Sequence, residues 1–414
     1  MIAIYTLTST LHDEAAVSRA TREFLESLDL DYTLKGNDYA DYGTHALSLI
    51  YVRTGGTESI FKSLLPQLQQ QSGQPFYLLT SGKSNSLAAS MEILSYLHQH
   101  NIEGEIIHGS PEYISKRVNA LERTGDARKQ LYGCRLGIIG APSDWLISSN
   151  TDKNVVKEKL GIDLIDIPMQ ELLKNIESPN SLTPDPSPKG EGSIMFSNRK
   201  VTTPLSFWRG VGSEAAGALR IYDALKIIVN SYRLQGFTLR CFDLLTAVHN
   251  TGCLALAKLN SEGIVASCEG DVPAMLTMKI AQALTGIIGF QANPASINPE
   301  TGEMVFAHCT IPFSLVEHYE LDTHFESGIG VGIRGYMKEG PVTIFKVSAD
   351  LTRSFIAEGN LIRNEAKPDL CRTQQVIRLD DPSQTSYFLT HPIGNHHIIL
   401  PGRHKALLSM AMEK

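Results

Sequence analysis

ALSLIYVRTGGTE, residues 46–58, runs from a continuous apolar stretch through a Gly/Thr loop into an acidic helix start. An apolar run of this length, bounded by loop residues and followed by a helical pattern, reads as a parallel strand buried on both faces. The same cadence surrounds it. IAIYTLTS (2–9) leads to an amphipathic stretch with Ala16, Val17, Ala20, Phe24 and Leu25, and PFYLLTSGKSNS (75–86) to a helix through Leu87–Leu97. GEIIHGS (104–110) leads to a helix from Pro111 to Leu121. Repeated strand, short loop and helix predict a doubly wound α/β layer with its loops at the carboxyl ends of the strands, where such sheets take ligands.

A further βα unit opens at CRLGIIGAPSDWL (134–146), and IDLIDIP (162–168) reads as another strand. Residues 176–206, rich in Ser, Pro, Gly and Lys, read as an exposed insertion. A long helix, Ser213–Leu234, then precedes the predicted strands GFTLRCFDLL and GIVASCEGDV and a helix from Pro273 to Leu284. Beyond Gly289 the texture changes to short alternating runs: GEMVFAHCTIPFSL, GIGVGIRGYMKEGPVTIFKVS, TQQVIRLDD, SYFLTHP and HHIILPG. KEGP reads as a hairpin turn. An antiparallel barrel or sandwich is expected here, closed by a last helix, Lys405–Met412.

Composition narrows the functional classes. The 414 residues carry 37 basic and 44 acidic side chains, a formal charge of −7, without Lys/Arg blocks, which argues against nucleic acid or an anionic membrane as partner. No apolar run is long enough to span a bilayer. MIAIYTLTSTLHDEAA lacks a basic leader segment and reads as a first strand, so a cytoplasmic location is expected. The six cysteines have no CxxC spacing and are expected as reduced thiols. TSGKSNS lacks P-loop spacing, and neither GxGxxG after a strand nor a GxSxG elbow occurs. A small-molecule ligand is the expectation.

Three stretches carry candidate chemistry. CEGDVPAMLTMKI (268–280) sets Glu269 and Asp271 between a strand and a helix; Asp271 suits an N-cap, whereas Glu269 needs another reason. Two carboxylates there would hold a cation or exchange protons with a substrate. In FAHCTIP (306–312) His308 is either a hydrogen-bonded core residue or a site residue, and Cys309 has no companion at zinc-ligand spacing. GNHHIILPG (394–402) sets His396 beside His397, and strand alternation lets only one of them face a given site.

LRCFDLL (239–245), SCEGDVPAMLTM, ANPASIN (292–298), FAHCTIP, HFESGIGVGIRGYMKEGPVTIF (324–345), GNLIRN (359–364), CRTQ (371–374) and GNHHIILPG resemble, in that order, the L-fucose isomerase-like proteins, relatives of the L-fucose and L-arabinose isomerases. The resemblance covers about residues 235–402 and, more loosely, TGGTE and GAPSDWL. It implies two doubly wound parallel-sheet domains, 1–130 and 131–290, followed by a β-rich, barrel-like domain, 291–414. It also implies aldose–ketose isomerisation through an enediol with a divalent metal, usually Mn²⁺. One base must take a carbon-bound proton, an acid must return it, and a hard cation suits carboxylate and imidazole ligands.

Carried over by residue, the resemblance makes Asp271 a metal ligand, with either His396 or His397 as the late histidine ligand. The family's first glutamate falls on Leu244, so either Asp243 serves as base and ligand, or Glu269 takes the role, or the site is catalytically altered. His308, Arg240 and Asn395 become substrate residues. Thr57 and Glu58 of TGGTE would complete the site of a neighbouring subunit in a homo-oligomer, a trimer or hexamer. Two rivals stand beside the isomerase: a non-catalytic sugar-binding or regulatory protein, favoured by Leu244, and a metal-assisted hydrolase.

Overall fold

The apolar runs of the first hundred residues become strands whose side chains are buried on both faces, and these strands pair in parallel. The computed structural model describes residues 1–73, 75–178 and 205–412, with backbone alone for 205–213; the expected insertion lies almost wholly outside them. The chain divides into two compact units, Met1–Lys129 and Gln130–Lys414.

In the first unit β1 (Ile2–Leu7), β2 (Tyr32–Gly36), β3 (Leu47–Val52), β4 (Phe76–Leu79) and β5 (Gly104–Ile107) form one sheet in the order β2-β1-β3-β4-β5, parallel throughout. Helices Glu14–Glu26, Glu58–Gln71 and Ser86–Gln99 lie between its strands, and Pro111–Leu131 follows β5. Tyr5, Ile50, Phe61, Phe76, Leu78 and Ile93 meet in one apolar cluster. β2 escapes the sequence pattern because it is a half-exposed edge strand without an apolar run.

In the second unit β6 (Arg135–Ile139), β7 (Asp163–Ile167), β8 (Gly236–Leu239) and β9 (Val265–Cys268) form a parallel sheet, β7-β6-β8-β9. The expected strand GFTLRCFDLL ends at Leu239. Asp243–Ala247 is a short helix instead, with Leu244 wholly buried in the apolar core beneath it.

A closed antiparallel barrel follows. Its strands are β10 (Phe290–Asn298), β11 (Glu303–His308), β14 (Gly340–Val347), β15 (Ser354–Glu365), β16 (Thr373–Leu379) and β17 (His397–Pro401), ordered β10-β11-β16-β15-β14-β17. β12 (Val316–Asp322) and β13 (Gly332–Met337) pair separately. KEGP is therefore not a hairpin: it carries the chain from one sheet into another, since β13 pairs with β12 and β14 with β15 and β17. Period-two alternation identifies strands without naming their partners. SYFLTHP is also corrected. Asp381 caps the amide of Ser383, Pro382 takes the first turn, and Thr385–Thr390 is helical despite its aromatic residues.

Alternate residues of all six barrel strands, among them Phe290, Phe306, Ile344, Phe355, Ile377 and Ile399, share one apolar cluster. Helix Val272–Thr285 packs on β9, β14 and β17, so its first turn lies where the parallel sheet meets the barrel.

Candidate metal and sugar site

The last turn before helix Val272–Thr285 sets the site. Glu269 follows the end of β9 in the left-handed region (φ 65°), and Gly270 continues at φ 70°. A Cβ on Gly270 would stand 2.4 Å from the Ala141 carbonyl oxygen, so only glycine fits. Asp271 then caps the helix: Oδ1 accepts the Ala274 amide at 2.7 Å. The capping expectation and the site expectation for this residue are compatible, because Oδ2 lies 2.8 Å from His396 Nδ1. Both side chains are fully buried.

Glu269, His308 and His396 converge. Glu269 Oε1 is 3.4 Å from His396 Nε2 and 3.7 Å from His308 Nε2, and the two imidazole rings are 5.4 Å apart. One ligand atom from each residue lies within 4.8 Å of the others; among the described residues this is the group able to hold a metal ion. Each imidazole is tied through its other nitrogen, His396 Nδ1 to Asp271 and His308 Nδ1 to Thr310 Oγ1 at 2.9 Å. Hydrogen bonds of this kind fix ring orientation and leave Nε2 for a cation. Buried His396 Nε2 has no hydrogen-bond partner of its own. Two imidazoles and one carboxylate form a donor set suited to Mn²⁺, Fe²⁺ or Zn²⁺.

Charge is concentrated here. Burial pushes the Glu269 carboxyl up, but the charge of His396 and the adjoining His308 imidazole outweigh it and hold the group well below the usual carboxylate range. For Asp271, burial is outweighed by the Lys346 charge and the His396 and Ala274 hydrogen bonds, which bring it to about 2. In His396 burial opposes protonation, yet Glu269 and Asp271 raise the ring to about 9. Burial lowers His308, with Glu269 acting against the shift.

The loop after β6 forms a wall of the site. Ser143 N–H donates to the Glu269 carbonyl at 3.0 Å, and half-exposed Trp145 donates from Nε1 to Glu269 Oε2 at 2.8 Å. Arg240 holds that loop, donating to the Pro142 carbonyl at 2.8 Å and to Asp144 Oδ2 at 2.9 Å. Its Nε donates to Asp243 Oδ1 at 3.1 Å. Trp145 packs edge-on against Phe242, and Phe242 against His324, which burial and the His308 charge lower to about 4.

The remaining sequence candidates fall elsewhere. His397 turns away from Glu269: Nε2 lies 3.0 Å from the Tyr387 hydroxyl, Nδ1 lies 2.9 Å from the Asn395 carbonyl, and Phe306, Phe355 and Phe388 surround the ring. Burial and the Lys346 charge lower it to about 3. Asn395 is exposed. Asp243 sits with Arg240 at the start of its short helix rather than in the three-residue group. In the first unit Thr57 is buried, its hydroxyl donating to the Thr54 carbonyl, and Glu58 lines a cleft of about 410 Å³ with His12, Gly56 and Asn85. Trp145, Thr310 and Lys346 went unassigned in the sequence, where none of them belongs to a local pattern of polar residues.

No family model matches the chain. Curated proteins named sulfoquinovose isomerase do match. The protein from Priestia aryabhattai is 24% identical over 327 residues, 76% of this chain and 71% of that relative. The one from Alkalicoccus urumqiensis is 24% identical over 283 residues, 64% of this chain and 59% of the relative. A third, from Clostridium sp. (strain MSTE9), is 25% identical over 244 residues, 58% of this chain and 51% of the relative. The chain is similar to sugar isomerases. The likeness supports an enzyme of the intramolecular oxidoreductase class, the coarser part of what the motifs imply. No helix among the described residues is long and apolar enough to cross a membrane, and the six cysteines are free thiols.

Proposed function

We propose that the chain is a divalent-metal-dependent aldose–ketose isomerase of the L-fucose/L-arabinose type, centred on Glu269, His308 and His396. The observation that carries this reading is the pair of imidazoles tied at Nδ1 by Asp271 and Thr310, with both Nε2 atoms turned toward one carboxylate. Glu269, His308 and His396 would hold the cation, Mn²⁺ by donor set and resemblance, and the cation would stabilise the enediolate that forms as the carbonyl moves between C1 and C2.

The chain's own groups do the rest. Trp145 fixes the second oxygen of Glu269. Asp271 orients His396, and its complete burial suits it to that role better than to proton exchange with a sugar. Of the two carboxylates considered for the first acid, Glu269 lies in the three-residue group and takes that role, while Asp243 stays paired with Arg240. Leu244, wholly buried, has no part in the chemistry. Asn395, exposed beside His396, is assigned to sugar hydroxyls, and Thr57 and Glu58 to the site of a neighbouring subunit in a trimer or hexamer. The same reading takes each α/β layer as doubly wound, treats 131–290 and 291–414 as separate domains, and puts the protein in the cytoplasm.

The substrate proposed first is sulfoquinovose, after the curated relatives. The test is proton NMR in D₂O with Mn²⁺ and sulfoquinovose, L-fucose or L-arabinose. Loss of the C2 proton signal together with appearance of the ketose supports the isomerase. Binding without exchange identifies the sugar-binding alternative, and release of two products from a glycoside or ester identifies a hydrolase.

A further inference from the structure

On β14, Val342 and Ile344 enter the apolar cluster of the barrel strands, and the next position on that face is a lysine, Lys346, paired in register with Phe355. Its side chain is 1% exposed, and Nζ has no hydrogen-bond partner. Lysine is almost never fully buried without a partner, because a strongly hydrated ammonium loses its water on burial. The nearest opposite charge is Asp271, with Oδ1 3.9 Å from Nζ, within ion-pair reach but beyond a hydrogen bond. The turn that delivers His396 closes over the lysine: a Cβ on Gly394 would lie 3.8 Å from Lys346 Cε and 3.9 Å from Nζ.

Both oxygens of Asp271 are already committed, Oδ1 to the helix amide of Ala274 and Oδ2 to His396 Nδ1. The ammonium thus adds no hydrogen bond and acts through its charge. We propose that Lys346 is a positioning residue of the metal site: its ammonium, 3.9 Å from Asp271 Oδ1, balances the buried carboxylate, so that Asp271 holds His396 with Nε2 facing Glu269 and His308. Without that charge, fully buried Asp271 has His396 alone as a counter-charge, and none once a cation takes the place of the ring's proton, so the carboxylate and the ring it orients lose their fixed geometry. This inference rests on the metal-site reading of the preceding subsection.

The test compares native protein with Lys346→Met and Lys346→Gln. Mn²⁺ affinity is measured by titration calorimetry, and the imidazole Nδ1–H signals of the metal-free protein by ¹⁵N NMR. Both variants are expected to bind Mn²⁺ about tenfold or more weakly. Both should also lose the His396 Nδ1–H signal, while the His397 ring signals, checked with His397→Phe, persist. Lys346→Gln keeps a polar end and provides the measurement should Lys346→Met fail to fold. Unchanged Mn²⁺ affinity and an unchanged His396 signal, with or without a fall in Tm, overturn the positioning role and leave the metal site standing. Absence of Mn²⁺ binding by the native protein overturns both.

Discussion

Raising the pH from about 6.5 to about 9 should strengthen Mn²⁺ binding roughly tenfold per unit, because a proton and the cation compete for His396 Nε2. Burial by itself would favour a neutral ring, but Glu269 and Asp271 outweigh it and keep His396 protonated up to about 9 in the metal-free protein. At pH 7, about two units lower, displacing that proton weakens apparent affinity on the order of 100-fold, or roughly 2.7 kcal/mol. The other two ligands release no proton in this window, since Glu269 is held below the carboxylate range and burial lowers His308 from its ordinary value. Titration calorimetry in buffers of differing ionisation enthalpy counts the protons. About one should leave per Mn²⁺ bound near pH 7, falling toward zero as pH passes about 9. A pH-independent affinity without proton release refutes the reasoning, and release of two protons refutes the assignment of His308 as already neutral.

Three other outcomes follow from the same geometry. His396 has a raised pKa in the folded state, so its contribution to stability is complete below about pH 6.5 and is lost as pH rises through about 9. His397 and His324, both lowered, act oppositely by withdrawing stability as pH falls below about 6.5. The Tm of the metal-free protein should accordingly pass through a maximum near pH 6.5, and a flat profile from pH 6 to 9 would contradict the His396 assignment. Asp271→Asn keeps an oxygen for the Ala274 amide but turns an NH₂ toward His396. It also leaves buried Lys346 without its counter-charge, so stability should fall by about 3–5 kcal/mol, read by urea unfolding, while Mn²⁺ affinity falls about 10–100-fold; a loss of stability with unchanged affinity would leave the residue a merely structural role. Gly270→Ala places a Cβ 2.4 Å from a backbone oxygen at φ 70° and should destabilise by about 1–3 kcal/mol, read by urea unfolding.

The parts of this molecule legible in its sequence are those with local periodicity. Both-face burial makes β1, β3, β4 and β17 continuous buried runs, but edge strand β2 has no such signature. Helix Cys253–Ser261 is apolar nearly all round, so it shows no amphipathic stripe. SYFLT has the residues of a strand, but the turn Pro382–Gln384, capped by Asp381, leads it into a helix. Within the site, alternation at GNHH limits the inward histidines to one, but the choice of His396 depends on Asp271, 125 positions earlier in the chain. His308 reads as an ordinary core histidine until β11 brings it beside Glu269. Lys346, in VTIFKVS, gives no local sign of the carboxylate it faces.

Anomalous X-ray scattering from crystals grown with Mn²⁺, recorded at the manganese edge, tests the central claim most directly. A peak bounded by Glu269, His308 and His396, absent from a Glu269→Gln variant, is the predicted result. Saturating Mn²⁺ with no density among these residues, or density centred instead on His397 or Asp243, would contradict it.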